Sequence, residues 1–182
     1  TGELFGYAYA AKGEASDDIA VYAFDKHGKK TWEVWFKSPY PGMIHDCAIS
    51  ENYLILPLIP QVMSLDRIKA GGIIFQWEPS LEQKYIVIPR GGEAKDVRVF
   101  SAPNAMPGHV VNAFDDNGKL YLDLPVALDN VFWFFPEAGG KFPPPGSFGT
   151  EVTRWCFDMN DKHSKAVPSV MSRMAAEFPH CD

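Results

Sequence analysis

The sequence predicts an all-β protein, and its pattern favours part of a β-propeller. Strand periodicity runs through almost the whole chain, and a hairpin pattern whose first strand ends in Phe-Asp occurs three times. The Phe residues of these pairs are Phe24, Phe114 and Phe157, at intervals of 90 and 43 residues. A repeat of ~40–50 residues that carries antiparallel hairpins is typical of propeller blades. A hairpin-rich β-sandwich is the alternative that the pattern leaves open.

Each hairpin consists of two apolar or alternating segments around a polar turn. The predicted strand pairs are 19–24 with 31–36, 110–114 with 120–124, and 152–157 with 166–171, across turns 25–29, 115–119 and 158–162. Further strands are expected at 47–57, 72–76 and 84–89, and a single helical turn at 64–70. The Pro- and Gly-rich segment 136–149 predicts a long loop.

Composition excludes several classes of protein. The chain has 182 residues, of which 46% are hydrophobic, so it can form a core and is not disordered. The formal charge of −6 disfavours nucleic acid as a partner. No apolar stretch approaches the ~20 residues of a membrane span, and no signal peptide is visible. On length alone, we expect residues 1–182 to form one domain or one large piece of a domain.

The cysteines indicate free thiols. Cys47, Cys156 and Cys181 are odd in number and widely spaced, without a CxxC pair. This disfavours a disulfide framework or a zinc knuckle and predicts a reducing, cytoplasmic location.

Two of the five histidines are candidates for a metal site. His45 and His109 each follow a Pro/Gly turn and are expected to open an apolar strand. Because strand beginnings of successive propeller blades converge at the central axis, two imidazoles there would supply half of a metal site. The alternative is a pair of histidines hydrogen-bonded in the core. His27 and His163 are interpreted as solvated residues at hairpin tips, and the setting of His180 cannot be judged from the sequence.

Two carboxylates could accompany the histidines. Asp46 is next to His45, but neighbouring residues of a strand point to opposite faces, which argues against a two-His-one-carboxylate site. Glu177 stands in the otherwise apolar stretch 174–179. A buried Glu177 could accept a hydrogen bond from a histidine N–H, or it could be a surface residue before a turn. Phosphate-binding glycine loops and a GxSxG nucleophile motif are absent from the sequence.

Three segments resemble the carotenoid cleavage oxygenase family: 42–53 (GMIHDCAISENY), 108–116 (GHVVNAFDD) and 176–179 (AEFP). Segments 5–10 and 39–45 are most similar to its lignostilbene dioxygenase branch. The resemblance implies a seven-bladed β-propeller with one non-haem Fe(II), held on the axis by four histidines. It also implies cleavage of a C=C bond of a stilbenoid or carotenoid-like substrate by O2, which gives two carbonyl products.

By this resemblance, His45 and His109 match two iron ligands. Glu177 matches a carboxylate that hydrogen-bonds to a ligating histidine, for which His109 is the expected partner. The other two ligands, and the Tyr and Lys that bind a phenolic hydroxyl in the lignostilbene branch, have no match here. We therefore expect an internal segment of about three blades that needs the remaining blades to complete the site.

The expected partners are a small hydrophobic or phenolic alkene and O2, while contact with a membrane stays open. One rival hypothesis is a non-catalytic propeller or sandwich that binds a partner and has structural histidines. A zinc hydrolase is the other.

Overall fold

The computed structural model describes residues 2–147, 149–161 and 165–176. Within these residues the chain forms three antiparallel sheets, as the strand periodicity predicts. None of the helices in these ranges is long and apolar enough to cross a membrane.

The first sheet contains β1 (Leu4–Ala8), β2 (Asp18–Phe24) and β3 (Lys30–Lys37), in the order β1-β2-β3. The pair β2–β3 confirms the first predicted hairpin. Its turn is closed by Asp25, whose carboxylate accepts hydrogen bonds from the backbone N–H groups of His27 (2.9 Å) and Lys29 (3.0 Å). His27 is exposed at the tip, as expected of a solvated turn residue.

The second sheet is built around one long strand, β6. Its members are β4 (Gly42–Met43), β5 (Ala48–Ile49), β6 (Tyr53–Met63), β7 (Phe75–Trp77), β8 (Gln83–Pro89) and β9 (Arg98–Ala102). The order is β4-β6-β8-β9, and β5 and β7 also pair with β6. The predicted single strand at 47–57 is therefore wrong, because a turn divides it into β5 and β6. That turn is closed by hydrogen bonds from Ser50 N–H to the Tyr53 carbonyl (2.9 Å) and from Tyr53 N–H to Ser50 Oγ (3.1 Å).

A short helix, α1 (Leu65–Lys69), follows β6 where a single helical turn is predicted. The side chain of Ser64 caps it by accepting from the N–H of Arg67. Two 3₁₀ turns, Ala94–Asp96 and Ala138–Gly140, lie in connecting segments. The second belongs to the predicted loop 136–149, whose described residues contain no strand before Thr150.

The third sheet has the order β10-β12-β13-β14, and β11 also pairs with β12. Its strands are β10 (Met106–Pro107), β11 (Asn112–Asp116), β12 (Lys119–Ala127), β13 (Thr150–Asp158) and β14 (Val167–Ser172). The second and third predicted hairpins are confirmed as β11–β12 and β13–β14. The turn predicted at 115–119 is too long, since only Asn117 and Gly118 lie between the strands, with φ of +48° and +77°. Positive φ at both positions is what a two-residue type I′ turn requires.

The second sheet is buried on both faces because it lies between the other two. Alternate residues of β6 face opposite ways: Leu54 and Leu56 pack with Ile19 and Val21 of the first sheet, whereas Ile55 packs with the third sheet. This explains why β6 is a continuous apolar run instead of an alternating one. The contact between the second and third sheets brings His45 and His109 together.

Candidate metal centre

The two candidate histidines occupy equivalent interruptions in neighbouring sheets. Residues 44–47 separate β4 from β5, which both pair with β6, and residues 108–111 separate β10 from β11, which both pair with β12. In each four-residue break the histidine is the second residue. The prediction that these histidines open strands is therefore corrected, since both lie just before a strand in irregular backbone.

A proline in the long strand explains the break that holds His109. Gly108 N–H donates to the carbonyl of Pro125 (2.7 Å), and Val111 N–H donates to the carbonyl of Asp123 (2.8 Å). Because Pro125 has no N–H, it cannot return a ladder bond to the residues opposite it. The chain between these two anchors leaves the sheet, and it carries His109.

The histidine side chains meet across the two sheets. The Nε2 atoms of His45 and His109 are 3.2 Å apart, although the residues are 64 positions apart in the chain. Their ring planes are nearly perpendicular, at 89°. Both rings line a cavity of about 540 Å³. The prediction that the fold brings these two residues together is therefore what the structure shows.

The side chain of Asp46 links the two breaks, because it accepts a hydrogen bond from the backbone of each. Its carboxylate accepts from the N–H of Val110 (2.7 Å) and from the N–H of Cys47 (2.8 Å). Asp46 is absent from the cavity lining. In the described part of the chain, no group of three or more His, Cys, Asp or Glu side chains could hold a metal. Asp46 thus acts on the backbone beside the histidines and does not complete a facial triad.

Two further groups lie close to His45: Tyr7, which contacts the break from β1, and Cys47, the last residue of the break. The hydroxyl of Tyr7 donates to the carbonyl of Ile44 at 3.3 Å, and burial raises the Tyr7 pKa far above its usual range. Burial, with the Asp46 charge nearby, also raises the pKa of the Cys47 thiol. Tyr7 therefore keeps the proton that it donates, and Cys47 is a neutral thiol. Cys47 and Cys156 are free, as predicted, whereas Cys181 lies outside the described residues.

The rest of the cavity lining is mainly apolar. The lining residues besides the histidines are Met106, Pro107, Gly108, Pro125, Ala127, Val131, Phe132, Thr150, Ala175 and Ala176. The Phe132 ring centroid is 6.5 Å from that of His45. Thr150 Oγ1 is buried and has no hydrogen-bond partner in the part of the chain that the structure describes. Sequence reasoning missed both Phe132 and Thr150. The short apolar run 131–136 was a usable signal for Phe132, but Thr150 gives none.

The whole chain, residues 1–182, matches the sequence profile of the family described as retinal pigment epithelial membrane protein. The chain belongs to this family of carotenoid cleavage oxygenases. It is 41% identical to carotenoid cleavage oxygenase 1 of Neurospora crassa, over 100% of the chain and 35% of that protein. It is 43% identical to resveratrol cleavage oxygenase 1 of Chaetomium globosum, over 90% of the chain and 29% of that protein.

Among solved structures, the lignostilbene dioxygenase of Pseudomonas brassicacearum superposes with a TM-score of 0.97 at 43% identity, over 100% of the chain and 38% of that enzyme. The predicted similarity to the lignostilbene branch of the carotenoid cleavage oxygenases is thereby confirmed. So is the predicted fold, a part of a β-propeller. The chain is matched over its whole length by the Neurospora crassa and Pseudomonas brassicacearum proteins, but it spans little more than a third of the length of either.

Within this family the pair His45–His109 has the donor chemistry of a metal site. Two nitrogen ligands about 2.1 Å from one ion, at an angle near 90–100°, are separated by roughly 3.0–3.2 Å. The observed Nε2 separation of 3.2 Å agrees with that value, and it equally fits a direct hydrogen bond between the two rings, which is the alternative of structural histidines. Imidazole nitrogen suits iron as well as zinc and copper, so the pair fits an iron ion without being specific for it.

Glu177, the predicted carboxylate partner of a ligating histidine, lies outside the described residues, as do His163 and His180. The described chain reaches the cavity just before it, because Ala175 and Ala176 are part of the lining. The role of Glu177 stays a prediction.

Proposed function

We propose that the full-length protein is an iron-dependent dioxygenase that cleaves the C=C bond of a stilbenoid, an alkene flanked by aromatic rings. The observation that carries this proposal is the imidazole pair, with Nε2 atoms 3.2 Å apart, facing an apolar cavity. The names of the resveratrol and lignostilbene relatives support a stilbenoid, whereas the Neurospora crassa relative is named for carotenoid cleavage. Stilbenoids and carotenoids both contain a conjugated C=C bond, which is the group that reacts.

His45 and His109 would hold the iron through their Nε2 atoms. We propose that two further ligands come from other parts of the full-length protein, because the chain spans 38% of the lignostilbene dioxygenase. Glu177 is proposed to accept a hydrogen bond from His109 and to orient its ring. Bound iron supplies the redox and O2 chemistry that amino-acid side chains lack.

The cavity walls would bind the alkene by burying apolar surface and excluding water. Phe132 lies beside His45, so an aromatic ring of the substrate could pack against it with the double bond close to the histidine pair. The reaction balances as one alkene and one O2 giving two aldehydes. No other co-reactant is consumed.

The test is product analysis with purified full-length protein supplied with Fe(II) and air. Resveratrol, as the stilbenoid, and a long-chain apocarotenoid are offered separately, and the products are identified by mass spectrometry. We expect two aromatic aldehydes from resveratrol and a loss of about a hundredfold or more in turnover for His45→Ala and for His109→Ala. His27→Ala, at an exposed hairpin tip, is the matched control and should leave turnover unchanged.

Preferential cleavage of the apocarotenoid would overturn the stilbenoid assignment but keep the reaction class. Unchanged turnover in both histidine variants would show that the two histidines are structural. A wild-type protein that cleaves neither alkene would favour the non-catalytic rival. Bound zinc instead of iron in the purified protein, together with no cleavage of either alkene, would favour the zinc hydrolase.

A further inference from the structure

Two fully buried amides connect the second sheet to the loop that carries Phe132. Gln61, on β6, and Asn130, in the loop after β12, are both 0% exposed. Gln61 Nε2 donates to Asn130 Oδ1 at 2.8 Å, across 69 residues of chain. Buried amides are costly unless they are hydrogen-bonded, so the contacts of this pair identify what it holds.

The bonds of the pair converge on the loop backbone at two points. The carbonyl of Phe135 accepts from Gln61 Nε2 (3.2 Å) and from Asn130 Nδ2 (2.9 Å). Asn130 Oδ1 also accepts from the N–H of Phe132 at 3.0 Å. Asn130 therefore uses both ends of its amide, one to hold Phe132 and the other to hold Phe135.

The orientation of both amides follows from their partners. Gln61 faces two acceptor oxygens, Asn130 Oδ1 and the Phe135 carbonyl, so its NH2 group must point toward them. Its own oxygen has no hydrogen-bond partner in the described ranges. Gln61 therefore contacts Asn130 and the loop only as a hydrogen-bond donor. A carboxylate at this position could not donate these bonds.

The loop held in this way forms part of the cavity wall beside the histidine pair. Phe132 lines the cavity, stacks on Phe134 with ring centroids 5.3 Å apart, and faces His45. The end of the loop is also tied to the second sheet, because the N–H of Trp77 donates to the carbonyl of Pro136 at 3.1 Å. The amide pair lies between these two regions and fixes the backbone of Phe132 directly.

We propose that Gln61 and Asn130 are positioning residues that hold Phe132 against the reaction site and thereby set the selectivity for aryl alkenes. This inference rests on the proposed function, because it assigns Phe132 to the surface that the substrate aromatic ring contacts. Neither amide lines the cavity, so both act through the loop and not on the substrate.

Asn130→Asp tests this with little change in shape. The carboxylate can still accept from Gln61 and from the Phe132 N–H, but it cannot donate to the Phe135 carbonyl. We expect the KM for resveratrol to rise by about tenfold, with kcat and iron content within about twofold of wild type. Backbone amides of residues 131–135 should exchange hydrogen at least about tenfold faster.

Gln61→Met is the second variant, because it keeps the side-chain volume and removes the donor without adding charge. It should give the same rise in KM and the same faster exchange. The matched control is Asn104→Asp. The Asn104 Nδ2 anchors a different turn by donating to the carbonyls of Glu78 (3.1 Å) and Leu81 (2.7 Å). This control should leave the KM for resveratrol unchanged.

The result that would overturn the inference is slow, wild-type hydrogen exchange at the backbone amides of residues 131–135 in both variants. Equal losses of kcat and iron content at unchanged KM would also overturn it, because they would show a merely structural role. If the wild-type protein cleaves no aryl alkene, the proposed function fails, while the exchange measurement still decides whether the pair holds Phe132. If cleavage occurs and the variants keep the wild-type KM, only the inference fails.

Discussion

The carboxylate of Asp46 accepts a hydrogen bond from the backbone N–H of Val110 at 2.7 Å. Asp46 follows His45 and Val110 follows His109, so the residue after one candidate ligand holds the residue after the other. The separation of the histidine pair is thereby fixed between the second and third sheets. It does not depend on the imidazole rings alone.

Asp46→Ala is expected to loosen the histidine pair. The variant leaves the N–H groups of Val110 and Cys47 without their acceptor, which should lower the free energy of unfolding by about 1–3 kcal/mol. The free energy of unfolding is measured in urea, and the iron content is measured on the full-length protein. Both values should be lower than in wild type. Asp46→Asn keeps an acceptor oxygen and should recover part of each.

The matched control for this prediction is Asp115→Ala. The Asp115 carboxylate accepts from the N–H of Asn52 at 3.1 Å, which is the same kind of bond at the hairpin tips. The control should lower stability and leave iron content unchanged. Iron loss equal to that of Asp46→Ala would show that the carboxylate beside His45 has no special role.

Acid is expected to destabilise the first sheet through Asp18. Lys37, with Ser16 and Lys12, holds the pKa of Asp18 well below its usual range. Because the folded-state pKa is the lower one, the contribution to stability is complete above the unfolded-state pKa of about 3.9 and is lost as pH falls below it. The unfolding temperature, measured between about pH 5 and pH 2, should fall less steeply with acid for Asp18→Asn than for wild type. Asp66→Asn, on the exposed face of α1, should decline as wild type does.

Arg154→Lys is expected to weaken the pairing of β12 with β13. Arg154 Nε and Nη2 each donate to the carboxylate of Asp123 at 2.7 Å, and Asp123 is only 7% exposed. Lysine cannot form the two parallel bonds, so stability should fall by about 1 kcal/mol in urea unfolding. Arg173→Lys is the control, because the Arg173 side chain is 81% exposed and its nitrogen is 3.4 Å from Glu151. An equal loss of stability in Arg154→Lys and Arg173→Lys would contradict a special role for the two bonds between Arg154 and Asp123.

Gly118→Ala is expected to destabilise the tight turn between β11 and β12. Gly118 has φ of +77°, and a Cβ there would be 2.3 Å from Asn160 Nδ2. The left-handed backbone costs a side chain about 1–2 kcal/mol, and the Asn160 side chain must also move. Gly6→Ala, in β1 with open space around the position, should be neutral or slightly stabilising in the same thermal unfolding assay. A greater loss of stability in Gly6→Ala than in Gly118→Ala would contradict the turn geometry.

Local patterns were sufficient to predict the three hairpins and the histidine pair, whereas β1, β4, β9 and β10 were not predicted. The alternating and apolar runs of β2, β8 and β13 have the period that a buried sheet requires, so the all-β class follows directly from them. His45 and His109 were identified because each follows a Pro/Gly turn before an apolar run. The interruptions that hold them were not predicted. They arise from pairing with β6 and β12, which a local window does not contain.

The residues that form the cavity wall could not be predicted from local sequence for the same reason. Gln61 and Asn130 are 69 residues apart, and nothing near either residue predicts the bond between them. Phe132 lies in an apolar run whose length excludes a membrane span, but its position beside His45 depends on that distant bond. Sequence patterns report which residues are buried, whereas the partner of each residue is decided by the tertiary fold.

The central claim is that His45 and His109 hold one iron ion between them. The most direct measurement is the iron content of the full-length protein after anaerobic loading with Fe(II) and removal of free metal, compared among wild type, His45→Ala, His109→Ala and His27→Ala. We expect about one iron per chain for wild type and His27→Ala, and little or none for His45→Ala and His109→Ala. Iron content in His45→Ala or His109→Ala equal to that of wild type would contradict it.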